Sequence, residues 1–154
     1  MPDILLSPIA RVHNTHLATT DDDWGGLVSE IRLAPTLPEE SLDGLEAFSH
    51  AEIIFQFHLV AEAQIVTGAR RPRENPLWPR VGIFAQRARL RPNRLGLTVV
   101  RILRREERSL FVEGLDAVDG TPVLDIKPVM QEFLARGPIR QPDWSHELMK
   151  DYWK

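Results

Sequence analysis

The 154-residue chain contains no cysteine. That removes disulfide staples, thiolate nucleophiles and cysteine-ligated zinc or iron–sulfur sites together, and leaves oxygen and nitrogen chemistry. No apolar run approaches the ~20 residues of a membrane span, and the start, MPDILLSPIARVHN, has no apolar stretch behind a basic one. Neither export nor membrane insertion is expected, and the cytoplasm is the expected compartment. No G-x-G-x-x-G, Walker loop, zinc spacing or nucleophile elbow occurs, so the common cofactor folds have no support. His50 and His58 would share a face of one strand. Isolated histidines beside apolar strands are more often structural than ligating, nothing completes a triad, and no metal is expected.

Charge of one sign is missing locally. Between Arg70 and Arg108 there are twelve arginines, no lysine and three acids, a surplus of nine positive charges in a chain whose net charge is −3. Planar guanidinium groups suit forked contacts to carboxylate or phosphate. The alternative is surface arginines paired with acids from the rest of the chain, and the sequence leaves both open.

Apolar alternation and β-branched content predict strands near Ser7 to Val12, Gly26 to Leu33, Glu52 to Val60, Val81 to Ala85, Leu95 to Leu103 and Leu110 to Glu113. The pattern reads as mainly all-β in one domain over residues 1–154. Ile53, Phe55, Phe57 and Leu59 fall on one face and Ile54, His58 and Val60 on the other, as in a central strand. In LTVVRILRRE the arginines follow the apolar run, so that strand should leave the core at its far end. RRPRENPLWPR reads as a long proline-rich loop, Ser41 to Phe48 as a short helix, and PDWSHELMKDYWK as a C-terminal helix with Asp143 near its start. Its stripe of Trp144, Leu148 and Tyr152 predicts a helix covering one end of the barrel; docking on another subunit is the alternative.

Three strings are far more specific: LDGLEAFSHAEIIFQFH at 42–58, GIFAQRARLRPNRLGLTVV at 82–100 and GLDAVDGTPVLDIKP at 114–128. With PIARVHN near the start, they resemble in order and spacing the signature blocks of the TsaA/TrmO-like family, from about Pro8 to Pro128, leaving 129–154 as a C-terminal extension. The resemblance implies a single-sheeted antiparallel β-barrel and a homodimer with cofactor sites near the subunit interface. It also implies S-adenosylmethionine-dependent N6-methylation of threonylcarbamoyladenosine in tRNA. On matching positions it implies His58 and Leu59 as a cofactor-binding pair, with Leu59 where glutamine is usual, and Leu97, Gly114 and Leu115 lining the adenosine. Asp23, Trp24 and Gly25 stand where the family carries a cofactor-touching Pro-Arg-Gln-Pro-Gly-like loop. The run Asp21 to Asp23 reverses the charge there and is expected to weaken an anion contact and to repel RNA.

The residues themselves suit such a cradle. Arg87 can fork onto a carboxylate, Trp24 can stack on an adenine, and Asp116 and Asp119, flanking a tight Asp-Gly turn, can accept from hydroxyls or an ammonium group. A plain hairpin corner is the competing reading of that turn. On the acceptor side, Asn93 can orient a carbamoyl group, Arg91 or Lys127 can neutralise a carboxylate or phosphate, and Asp125 can take the proton leaving N6. A buried pairing of Asp125 with Lys127 that merely fixes a loop is the alternative. Two other functions stand beside tRNA methylation: a non-catalytic S-adenosylmethionine-binding module, and a methyltransferase acting on a small molecule.

Overall fold

The computed structural model describes residues 1–154. Eight strands form: β1 (Ala10–His13), β2 (Val28–Leu33), β3 (His50–Gln56), β4 (Ala69–Arg70), β5 (Val81–Gly82), β6 (Leu95–Glu106), β7 (Ser109–Glu113) and β8 (Pro122–Pro128). Six of them close a barrel in the order β1-β2-β7-β6-β3-β8, every pairing antiparallel, while β4 and β5 make a separate two-stranded ribbon. Closure removes the sheet edges that would otherwise present unpaired N–H and C=O groups. The expected single-sheeted antiparallel barrel is the observed fold.

Period-two patterning builds its interior. Ala51, Ile53 and Phe55 of β3 are sealed from solvent, and Val12, Ile31, Val100, Leu110, Val112 and Val123 join them in one core. Gly96 of β6 faces inward because the Phe55 ring lies where its side chain would be; an added Cβ would overlap that ring. Past Val100, β6 loses its buried positions and carries Arg101, Arg104 and Arg105 outside the core, as its sequence predicts.

Several boundaries differ from expectation. β3 ends at Gln56 rather than Val60, because the chain turns there, with the Val60 N–H donating to the Phe57 carbonyl at 3.1 Å. The turn reverses the face parity, so Val60 is buried and Leu59 is 56% exposed. The segment expected as a strand over Val81 to Ala85 is a two-residue strand followed by a 3-10 turn. The short helix near Ser41 to Phe48 is two 3-10 turns.

The sequence reading missed β8. It sits between β1 and β3 and does not pair with β7, so Asp119-Gly120 is not the corner of a hairpin but the entry to a strand reached by a crossing loop. A bulge at β8 lets Ile54 oppose Asp125 and Phe55 oppose Val123. Val123 thereby stays inside while Asp125 and Lys127 both point out.

Residues 130–142 are exposed throughout, and the chain then forms α1 (Asp143–Met149). The predicted C-terminal helix is therefore present but short: Tyr152 and Trp153 lie on turns beyond it. The proline-rich loop is tied to α1 by the Trp78 Nε1–H bond to Glu147 Oε2 at 2.8 Å. No helix is long and apolar enough to cross a membrane.

Candidate functional site

Alternation that buries Gly96, Thr98 and Val100 turns Leu95, Leu97 and Val99 outward on β6, next to the outward Ile54 of β3. These apolar side chains floor a cavity of about 1460 Å³. Its other walls are the 84–92 loop, the loop Asp116 to Val118 between β7 and β8, and the C-terminal residues Trp144, Leu148, Met149, Tyr152 and Trp153. Such a mixture of apolar lining and a few convergent polar groups is typical of a small-molecule site. A second, smaller concavity is lined by Glu30, Glu106, Glu107, Ser109 and Phe111 and offers no cation to an anionic ligand.

Three features give the large cavity its polarity. Asp116 presents a carboxylate held by two donors, the Thr98 hydroxyl on Oδ1 and the Tyr152 hydroxyl on Oδ2. Burial first, then the Asp116 charge, keeps the Tyr152 proton in place far above the ordinary tyrosine range. His58 lies on the wall as well; burial, with repulsion from Arg11, pushes its ring below the usual imidazole value, so it stands neutral at neutral pH. Finally, Arg87, Arg89 and Arg91 line one side, with Arg87 anchored on the Leu97 carbonyl and Arg91 Nη1 on the Gln86 carbonyl at 2.9 Å. Hydrogen bonds to carbonyls aim a guanidinium without neutralising it.

The acidic run does not leave three free charges. Arg73 forks onto Asp22 at 2.9 and 3.1 Å, and Arg89 reaches Asp21 at 3.7 Å. The expected repulsion of an anion is offset at two of the three aspartates. Trp24 is buried, stacked on His16 at 4.4 Å between centroids, and contributes to the cavity wall.

Residues 23–134 match the tRNA-methyltransferase O N-terminal domain. The chain belongs to that family. A human relative named tRNA (adenine(37)-N6)-methyltransferase is 38% identical over 68% of this chain and 23% of its own. A protein of Methanothermobacter thermautotrophicus named "Probable S-adenosyl-L-methionine-binding protein" is 39% identical over 88% of this chain and 96% of its own. The crystal structure of TrmO from Pseudomonas aeruginosa superposes with a TM-score of 0.72 at 30% identity, covering 90% of this chain and 62% of that one. The chain thus spans about a quarter of the human relative and under two thirds of the solved one.

Within this member of the tRNA-methyltransferase O N-terminal-domain family, the cavity gathers Trp24, His58, Leu59, Arg87, Leu97, Asp116 and Arg91 from the residues singled out by sequence. Others lie elsewhere. Asp119 accepts from the Asn14 N–H at 3.0 Å and stands 4.0 Å from His13; it shares no partner with Asp116 and does not line the cavity. Leu115 is wholly buried in the core, and Gly114 takes a left-handed φ of 83° while donating to the Leu27 carbonyl at 3.0 Å. Gly25 is packed under the Trp153 carbonyl and donates to the Lys154 carbonyl at 3.3 Å. Asn93 sits exposed in a turn beside the rim at φ 62°. Asp125 and Lys127 pair at 3.1 Å on the outer face, exposed rather than buried. Leu97, Ile54 and Asp125 are opposed across β6, β3 and β8, which puts Asp125 about 5 Å beyond the wall by strand spacing.

Sequence reasoning missed Thr98, Phe84 and the cavity-facing role of the tail. Trp144, Leu148 and Tyr152 carried a signal in their helical spacing, which located a covering element and not a polar contact. The bond from Thr98 to Asp116 has none, because its partners come from different strands and loops.

Proposed function

We propose that this chain is an S-adenosylmethionine-dependent methyltransferase acting on N6 of an adenine in tRNA, with threonylcarbamoyladenosine as the acceptor. The observation that carries the reading is the family match over residues 23–134 together with one cavity lined by Trp24, His58, Leu59, Arg87, Leu97 and Asp116, six of the ten residues expected to bind the cofactor. Relatives named as tRNA (adenine(37)-N6)-methyltransferases support the acceptor class.

The cavity suits the cofactor's chemistry. Asp116 can accept from ribose hydroxyls or the ammonium group, Arg87 can meet the carboxylate, and Leu59, Leu97 and Ile54 can shelter apolar parts from water. Bound there, S-adenosylmethionine would supply a methyl group activated on a positively charged sulfur. The chain's own contribution is orientation, which can account for much of the rate in a transfer between two held groups. Gly114, Leu115, Gly25 and Asp119 would act through the backbone positions and supports they provide rather than as wall side chains. Arg91 and Asn93, on the rim of the same side, would meet the carbamoyl and phosphate groups of the acceptor. Asp125 and Lys127 would reach an acceptor only where it extends over β8, with Asp125 as the candidate proton acceptor.

Methyl incorporation into tRNA carrying threonylcarbamoyladenosine tests the proposal, with tRNA lacking that modification as the contrast. Transfer to the modified tRNA alone is expected; tight cofactor binding without transfer to any cellular RNA overturns it. That second outcome favours a binding module, a reading supported by the near full-length match to the Methanothermobacter protein, whose name states binding only. Transfer to a metabolite and not to RNA favours the small-molecule enzyme.

Outward Leu95, Leu97 and Val99, with Leu59 and Phe84, leave an apolar strip at the cavity, which supports a homodimer that completes the site. Light scattering should give twice the chain mass. With tRNA as its substrate, the protein would work in the cytoplasm.

A further inference from the structure

The cavity's most constrained polar group is held from outside the family's matched span. The match ends at residue 134, whereas Tyr152, whose hydroxyl engages Asp116, lies in the last turn of the chain. The tail that carries it is attached through backbone. The Asp23 N–H donates to the Asp151 carbonyl at 3.2 Å, the Trp24 N–H to the Tyr152 carbonyl at 2.9 Å, and the Gly25 N–H to the Lys154 carbonyl at 3.3 Å.

Segment 23–25 is shaped for this contact. A Cβ on Gly25 would overlap the Trp153 carbonyl, so only glycine allows the tail to lie so close. Asp23 takes φ 69°, unfavourable for a residue with a side chain, and the Arg73 fork on Asp22 braces the turn. The tail is a wall and not a plug, since the cavity keeps about 1460 Å³ with it in place, more than a drug-sized ligand needs.

We propose that Tyr152 is a positioning residue of this cavity: with Thr98 it holds the Asp116 carboxylate in one orientation toward the ligand, and segment 23–25 latches the tail that brings it there. An ionised carboxylate has about four acceptor sites. Two are taken by Thr98 and Tyr152, and two stay free for ligand hydroxyls or an ammonium group. Because the phenol keeps its proton, it remains a donor across the working pH range. The inference rests on the reading of the cavity as the S-adenosylmethionine site.

Calorimetric titration with S-adenosylmethionine and with its demethylated product separates the two claims. Wild-type protein should bind both. Tyr152→Phe keeps the ring and removes the donor; it should bind both about tenfold more weakly, or ~1.4 kcal/mol. Its melting temperature without ligand should fall modestly, and the kinetic loss should fall more on the KM for cofactor than on kcat, a split that a merely structural role would not give. Gly25→Ala should weaken binding similarly by dislodging the tail, and the double variant should be no worse than the weaker single one.

Tyr152 is the sole tyrosine, so ultraviolet absorbance reads its ionisation without interference. Gly25→Ala should return that ionisation toward the ordinary value of 10.0. Should Gly25→Ala fail to fold, Asp116→Asn gives the same readout, as a downward move of the phenol titration. Unchanged or tighter binding by folded Tyr152→Phe overturns the inference while leaving the cavity reading intact. No binding by wild-type protein overturns the cavity reading and this inference with it.

Discussion

Gly96 and Phe55 divide one space between two strands. The ring of Phe55 is 1% exposed and occupies the volume that a side chain at 96 would need. Gly96→Ala should therefore cost about 1–3 kcal/mol through overpacking, and Phe55→Ala about 3–5 kcal/mol through the cavity it leaves. Chemical denaturation measures both, and combining Gly96→Ala with Phe55→Leu should recover part of the first loss. The sequence places Phe55 on one face with Ile53 through period-two spacing, and the structure shows that face to be the inward one. Nothing in the sequence signals that Gly96 is the complementary hole, because that pairing depends on the β3·β6 register.

His58 provides a second test at this scale. Its folded pKa lies below 6.5, so between that value and the folded one the unfolded chain binds more protons. The neutral ring is compatible with the fold above pH 6.5; as pH falls through this window, charging it favours unfolding. The melting temperature of His58→Gln should accordingly drop less than that of the wild type on going from pH 7 to below 6. Equal drops would show that the ring titrates alike in both states. His58 was legible as a wall residue only through the resemblance, since its environment comes from Arg11 and the neighbouring Gly120 on other elements.

Among elements, β8 and the braced segment 21–25 decide what the site becomes. β8 escaped the sequence reading because VLDIKP alternates poorly: the bulge near Asp125 shifts the phase, so no simple period-two pattern survives. Its insertion between β1 and β3 moves Asp125 and Lys127 to the outer face, where their pair is solvent-exposed. Lys127→Ala should change stability by only about 0–1 kcal/mol, as measured by thermal melting. Segment 21–25 is a stronger lever. Arg73→Ala removes the fork on Asp22 and uncovers a negative charge beside the cavity. Affinity for tRNA should fall several-fold in filter binding, and Arg73→Ala with Asp22→Asn should regain most of it.

Across the whole molecule, the arginine cluster resolves into two populations. Arg73, Arg89, Arg101, Arg104 and Arg105 have acidic partners, while Arg71, Arg87, Arg91, Arg94 and Arg108 lean on carbonyl groups and, with Arg70 and Arg80, retain their charge for other uses. Both readings of the cluster therefore apply, to different residues. If five to seven of the remaining arginines meet phosphates of a single-stranded loop, tRNA affinity should fall with salt at a log–log slope of about −4. A slope near zero would show that the unpaired arginines do not meet RNA.

By itself the sequence determined five of the barrel's six strands, the face shared by Ile53 and Phe55 on β3, and the family, because these reside in local alternation and in contiguous strings. Only the tertiary structure decided the order β1-β2-β7-β6-β3-β8, the placing of Asp125 one strand outside the wall, and the meeting of Thr98, Asp116 and Tyr152. Contacts between residues far apart in the chain depend on register and closure, and these are set by packing the whole barrel at once rather than by any window of its sequence.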